Sequence, residues 1–208
     1  MKILDFLQTF QEFPVFSTAE IEKRYPGFER ENLQNWQRKG YLRRIRNGWY
    51  GLPDGVRSLA DLYFVSNKIY APSYISLESA LAHYGWIPEG VFLVTVVTTL
   101  KTANFDTVAG HFQYASVKPS LFFGYKILTE NGRGIKMAEP EKALLDFLYF
   151  HPELREPEDF EAFRLNLSQM KADLDLQKTQ DYASLFGSKA LDTRLLTFQK
   201  LLNDAESY

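Results

Sequence analysis

The sequence predicts an α+β fold, divided into a small head (residues 1–57) and a mixed α+β body (residues 58–208) that ends in helices. Three observations carry this expectation. Apolar residues recur at helical spacing at both ends of the chain. Runs rich in β-branched and aromatic residues occupy the middle. The charge changes sign between the two parts. Residues 1–57 hold ten Lys/Arg against seven Asp/Glu, and residues 58–208 hold fourteen against nineteen. A basic head on an acidic body suits a head that meets a polyanion and a body with a different task.

The head opens with Ile3, Leu4, Leu7 and Phe10, an i, i+1, i+4, i+7 pattern that suits one helix face and predicts a helix over 2–12, closed by Pro14. Ser17-Thr18-Ala19-Glu20 is a capping-box signal and starts a second helix that runs to Tyr25. Pro26-Gly27 turns the chain. A third helix is expected over Glu29–Lys39, stopped by a left-handed Gly40. Residues 41–45 and 48–52 alternate as strands, and Asn47-Gly48 between them is tight-hairpin chemistry. Helices followed by a basic hairpin make a winged helix-turn-helix. Pro53-Asp54-Gly55 closes the head.

In the body, a linking helix is expected from Ser58 to Asn67 or beyond, and a short one over Tyr74–Ala82 that ends at Gly85. Residues 91–100, 110–117 and 124–129 are expected as strands, and NGRG at 131–134 as a turn. Ala143, Leu144, Phe147 and Leu148 share one face of a helix over 139–150. From Pro157 to Ala205 the pattern is helical, with a break at Phe186-Gly187-Ser188.

On a helix with about 100° per residue, Leu33 and Trp36 fall on the inner face of the third helix. Glu31, Gln34, Asn35 and Arg38 fall opposite, flanked by Asn32 and Lys39. Asn and Gln can pair two ways with adenine, and Arg with guanine, so such a face can read base edges. Glu31 is the discordant member. Arg30 opens the basic stretch, and Arg43, Arg44 and Arg46 crowd the hairpin. Like charges this close call for an anionic partner, and a wing beside a recognition helix lies along the phosphate backbone. The expected contacts with double-stranded DNA are therefore Arg30, Gln34, Asn35, Arg38, Lys39, Arg43, Arg44 and Arg46. No aromatic single-strand platform points to RNA.

No catalytic residue, metal site or cofactor is expected. Cysteine is absent, which removes thiolate chemistry and fits a reducing compartment. His83, His111 and His151 stand far apart, and the chain lacks G-x-S-x-G, HExxH and a phosphate-binding Gly loop. Asp146 is expected as a buried capping or ion-pairing carboxylate. The most apolar run, at 91–100, is ten residues long and carries three threonines, whereas a membrane span needs about 20. The N-terminus shows no signal-peptide pattern, so a cytoplasmic location is expected.

The order of motifs resembles a family. A head ending in G-x-Y-x-L-P (Gly48 to Pro53) is followed by YISLESALAHYGWIPE at 74–89, VTVVTT at 94–99 and AEPEKALLD at 138–146. This is similar to the AbiEi antitoxins of type IV abortive-infection toxin–antitoxin systems, over roughly residues 5 to 200. The resemblance implies a repressor that binds inverted repeats in its own promoter. It also implies a C-terminal domain, 58–208, that counters a nucleotidyltransferase-like toxin without a stable complex. Two alternatives remain. The chain is a stand-alone regulator whose body senses a ligand or protein, with Phe112, Tyr114, Phe122, Phe123 and Tyr125 lining a pocket or else filling the core. Or it is a nucleic-acid enzyme, which would need a tight Asp/Glu/His group in the folded body.

Overall fold

The computed structural model describes residues 3–88 and 93–204. Glu89, Val91 and Phe92, which belong to expected motifs, lie outside the described residues, as do Lys2 and Ala205.

The head comprises α1 (Ile3–Phe10), β1 (Phe16–Ser17), α2 (Thr18–Arg24), α3 (Glu31–Arg38), β2 (Arg43–Arg46) and β3 (Trp49–Gly51). Ser17 caps α2 as a full capping box. Its Oγ accepts from the Glu20 amide at 3.1 Å, and its own amide donates to the Glu20 carboxylate at 2.7 Å. Past α3, Gly40 adopts φ +75°, the left-handed conformation that ends a helix without the steric cost of a Cβ. Asn47 and Gly48 join β2 to β3, with Gly48 at φ +78°. The short sheet has the order β1-β3-β2, which leaves β2 at an edge.

An aromatic core holds these pieces together. Phe6 packs on Phe10 at 4.7 Å, Trp36 at 4.8 Å and Phe16 at 5.7 Å between ring centroids. Ile21, Leu33 and Leu42 complete the cluster, which therefore draws on every helix of the head and on the start of the hairpin. Each ring pair contributes about 0.5–1.5 kcal/mol beyond its area burial.

The body contains α4 (Leu59–Ile69), β4 (Ser73–Ile75), α5 (Leu77–His83), β5 (Leu93–Thr98), β6 (Ala103–Asp106), β7 (His111–Ser116), β8 (Tyr125–Glu130), β9 (Arg133–Ala138) and α6 (Pro140–Phe150). A 3₁₀ stretch, Pro157–Phe163, leads to α7 (Leu167–Asp173), α8 (Leu176–Phe186) and α9 (Lys189–Asp204). One mixed sheet, ordered β6-β7-β5-β4-β9-β8, has parallel pairs β5/β7 and β4/β9 and antiparallel pairs elsewhere. The fold class is α+β.

Three strands depart from the sequence expectation. Residues 74 and 75, expected in a helix, belong to β4, and the helix starts only at Leu77 behind Ser76. Ala103–Asp106 pairs with β7 as an edge strand. The 131–134 turn is shorter than expected. Asn131 and Gly132 make it with φ +51° and +74°, while Arg133 and Gly134 already belong to β9.

The polar residues of the three body motifs meet inside. Asp146 is fully buried and ion-paired with Lys142 one turn earlier, and its second oxygen accepts from Tyr74 Oη at 2.9 Å and Ser76 Oγ at 2.8 Å. Thr95 of β5 exchanges hydrogen bonds with Ser79, its amide donating to Ser79 Oγ at 2.8 Å and its Oγ1 accepting from the Ser79 amide at 3.0 Å. Tyr74, Ser76 and Ser79, Thr95, and Lys142 with Asp146 come from three distant stretches and form one core (β4/α5, β5 and α6).

A second polar contact ties α6 to α5 near the surface. His151 donates Nδ1–H to the Phe147 carbonyl at 2.8 Å and faces Glu78 with Nε2 at 3.2 Å. Burial works against the imidazolium, but the Glu78 contact together with the Phe147 carbonyl and the Glu153 charge outweighs it and holds His151 above its ordinary 6.5. Burial likewise opposes the Glu78 carboxylate, but the His151 contact together with hydrogen bonds from its own backbone amide and Thr95 outweighs it, holding Glu78 below its ordinary 4.5. A raised histidine stabilises the fold fully below 6.5 and loses this contribution as pH rises through the folded value. A lowered carboxylate stabilises above 4.5 and loses it as pH falls through the folded value. His151→Gln should therefore cost most stability between about pH 4.5 and 6.5. The deficit against wild type should shrink at pH 8, as read by urea denaturation at both pH values.

Candidate nucleic-acid interface

α3 divides its residues between two environments. Leu33 and Trp36 are buried at 3 % and 7 % exposure, and Glu31, Gln34, Asn35 and Arg38 are exposed. The buried pair fixes the rotation of α3 against the head's aromatic core, so the polar face can point only outward. Arg38 donates to Asn35 Oδ1 across one turn. This contact pre-orders two side chains that can each pair with a base edge. Lys39 is exposed at the end of α3, and Arg30 is exposed just before its start.

Four residues after α3, the chain enters β2. Arg43 and Arg44 are exposed there, and Arg44 donates to Asn47 Oδ1 at 3.0 Å. Seven of the eight expected contact residues are thus exposed on α3, its flanks and the adjoining edge strand. Among the described residues, no carboxylate lies within ion-pair distance of Arg38, Lys39, Arg43 or Arg44. Unpaired exposed cations are the kind that neutralise phosphates and release the counterions condensed on a duplex.

Arg46 departs from the expected set. It is half-buried and reaches the body instead of solvent. Its guanidinium donates to the Ile69 carbonyl and lies 4.7 Å from the Tyr70 ring centroid and 4.1 Å from that of Phe105. The cause is a bulge. Arg44 pairs with Tyr50 and Arg46 with Trp49, so Ile45 is an extra residue in the ladder and the strict alternation of faces is broken. Ile45 drops into the body core, and Arg46 follows it onto the body surface.

Arg133, expected as a turn residue, makes a second joint. It pairs with Asp61 at the start of α4 and donates to the Glu12 carbonyl in the head. The Asp61 carboxylate also accepts from the Arg57 amide at 2.9 Å and Ser58 Oγ at 3.0 Å, so the connection between head and body is pinned. The partners of Arg133 lie 72 and 121 residues away, and no local pattern marks them.

The aromatic run over 112–125 packs against other rings. Phe112 and Tyr114 are fully buried, Tyr114 donates to the Ser66 carbonyl at 2.8 Å, and Tyr125 stacks on Tyr74 at 5.2 Å. His111 contacts Asp106 and His83 contacts the Tyr84 ring. Among the described residues, no group of three or more His, Asp or Glu side chains is placed to hold a metal ion, and no helix is long and apolar enough to cross a membrane.

No protein-family model matches this chain, and no curated protein matches it.

Proposed function

We propose that residues 3–57 act as a winged helix-turn-helix that binds double-stranded DNA, with α3 in the major groove and the β2–β3 hairpin along the phosphates. The observation that carries this reading is the exposed set Gln34, Asn35 and Arg38 beside the unpaired Arg43 and Arg44. Base-reading side chains and phosphate-neutralising side chains occupy adjoining elements, as groove recognition requires. Glu31 takes a base-directed place as an acceptor for a cytosine amino group.

We further propose that the chain is a cytoplasmic transcriptional repressor and antitoxin of the AbiEi kind. It would bind inverted repeats in its own promoter and counter a nucleotidyltransferase-like toxin through the body. The support is the ordered motif set, whose body members supply the buried network of Tyr74, Ser76, Ser79, Thr95, Lys142 and Asp146.

The two halves are tested separately. In a mobility-shift titration on the gene's upstream DNA, Asn35→Ala and Arg38→Ala should each cost about 1–3 kcal/mol on the preferred sequence and little on scrambled duplex. Arg44→Ala should weaken binding on both duplexes alike. Equal effects of all three substitutions on both duplexes would remove the base-reading role of α3. For the antitoxin half, expressing the protein encoded by the adjacent reading frame should arrest growth, and co-expressing the present chain should restore it. Growth arrest that persists would end that half.

A further inference from the structure

The wing of this head does not project freely. Ile45 of β2 packs in the body core together with Val15, and the next residue, Arg46, ends in a niche built entirely by the body. The niche floor is the Ile69 carbonyl at the end of α4, which accepts from the guanidinium. Its walls are Tyr70 and Phe105, packed edge to face at 5.2 Å between centroids. Tyr70 is itself held, its hydroxyl donating to the Lys101 carbonyl at 2.9 Å. Each wall is close enough to the guanidinium for a cation–π contact. Arg44, the phosphate-facing residue, is two positions away on the same four-residue strand.

We propose that Arg46 is a positioning residue that clasps the wing to the body, so that Tyr70 and Phe105 set the DNA affinity of a surface they do not touch. The proposal rests on the DNA-binding reading of the head. Three features favour a clasp over a phosphate contact. The guanidinium has a backbone acceptor, its carbon lies within 4.7 Å of two ring centroids, and the bulge at Ile45 takes it off the face that Arg44 occupies. A guanidinium's forked donors can reach the carbonyl while its carbon stays beside both rings, whereas an ammonium is a compact, strongly hydrated point charge. A short hairpin is marginal by itself, so its pose depends on what it is fixed to. Arg133 does the reverse on another side of the joint, reaching from β9 to the Glu12 carbonyl, and the two clasps leave the head little freedom to swing.

The test compares Arg46→Lys, Phe105→Leu and Arg44→Ala in the full chain by amide hydrogen exchange and by duplex-binding titrations over a range of salt. Phe105→Leu keeps apolar bulk and lies in the body, outside the proposed DNA surface. In Arg46→Lys and Phe105→Leu, exchange over residues 43–51 should quicken about tenfold. Duplex affinity should fall about tenfold at an unchanged salt slope, because no phosphate contact is lost. Arg44→Ala should leave exchange unaltered and reduce the salt slope by about 0.9. Wild-type exchange over 43–51 in Phe105→Leu, or wild-type affinity in that variant, would overturn the proposal. So would full retention of affinity in Arg46→Lys, the result expected of a phosphate contact. If the wild-type protein bound no duplex, the DNA reading would fail, and the exchange measurement alone would decide whether the clasp exists.

Discussion

Replacing Asp146 with alanine is expected to destabilise the protein by about 3–5 kcal/mol, the largest effect of any single substitution considered. Both Asp146 and Lys142 are completely buried. Removing the carboxylate strands the Lys142 ammonium among the rings of Tyr74, Phe123 and Phe186, and leaves the Tyr74 and Ser76 hydroxyls without their acceptor. Aromatic faces soften this isolation, but they do not replace a counter-ion in a dry interior. Burial already pushes the Lys142 ammonium towards its neutral form, and Asp146 opposes that push. Urea denaturation at pH 7 measures the loss. The double variant Lys142→Met with Asp146→Leu should lose less than Asp146→Ala alone, because it removes both charges rather than one. A loss below about 1 kcal/mol in Asp146→Ala would show that Lys142 sheds its proton readily and that the pair contributes little.

The second large effect concerns the head. Changing Arg38, Arg43 and Arg44 together to alanine should reduce duplex affinity by a factor on the order of 100 or more at about 0.1 M salt, and lower the salt slope by about 1.8, the share of the two phosphate-facing arginines. All three side chains are exposed, so thermal unfolding should change little. Arg46 stays out of this set, since its loss would disturb the joint with the body and blur the comparison. If the triple variant bound duplex as wild type does, the basic surface would have no part in nucleic-acid recognition.

The head was largely legible because its signals are local. The Ser17–Glu20 capping box, the Gly40 stop and the Asn47-Gly48 turn each act within a few residues of sequence, and each has the expected geometry. The exposed face of α3 follows from the burial of two residues, Leu33 and Trp36, at helical spacing. What was not legible depends on distant partners. The four positions of RRIR look like one cluster of charge, and only the bulge at Ile45 and the niche of Ile69, Tyr70 and Phe105 separate Arg46 from its neighbours. β4 has three residues, all buried, and so short a run has no period to distinguish strand from helix. β9 alternates between buried Ile135 and Met137 and the less buried Gly134 and Lys136, but Arg133 at its start finds Asp61 and Glu12 only in the folded chain. Asp146 was identifiable as a buried pairing carboxylate, but its tie to Tyr74 and Ser76 spans about 70 residues and leaves no local trace.

α3 and β2 are proposed to form one duplex-binding surface. The most direct test titrates the wild-type protein with its upstream DNA and with a scrambled duplex of equal length, from 50 mM to 200 mM salt. About five neutralised phosphates predict a slope near −4.5 for log affinity against log salt, with the upstream duplex preferred throughout. No binding to either duplex at the lowest salt, or an affinity indifferent to salt, would contradict the account.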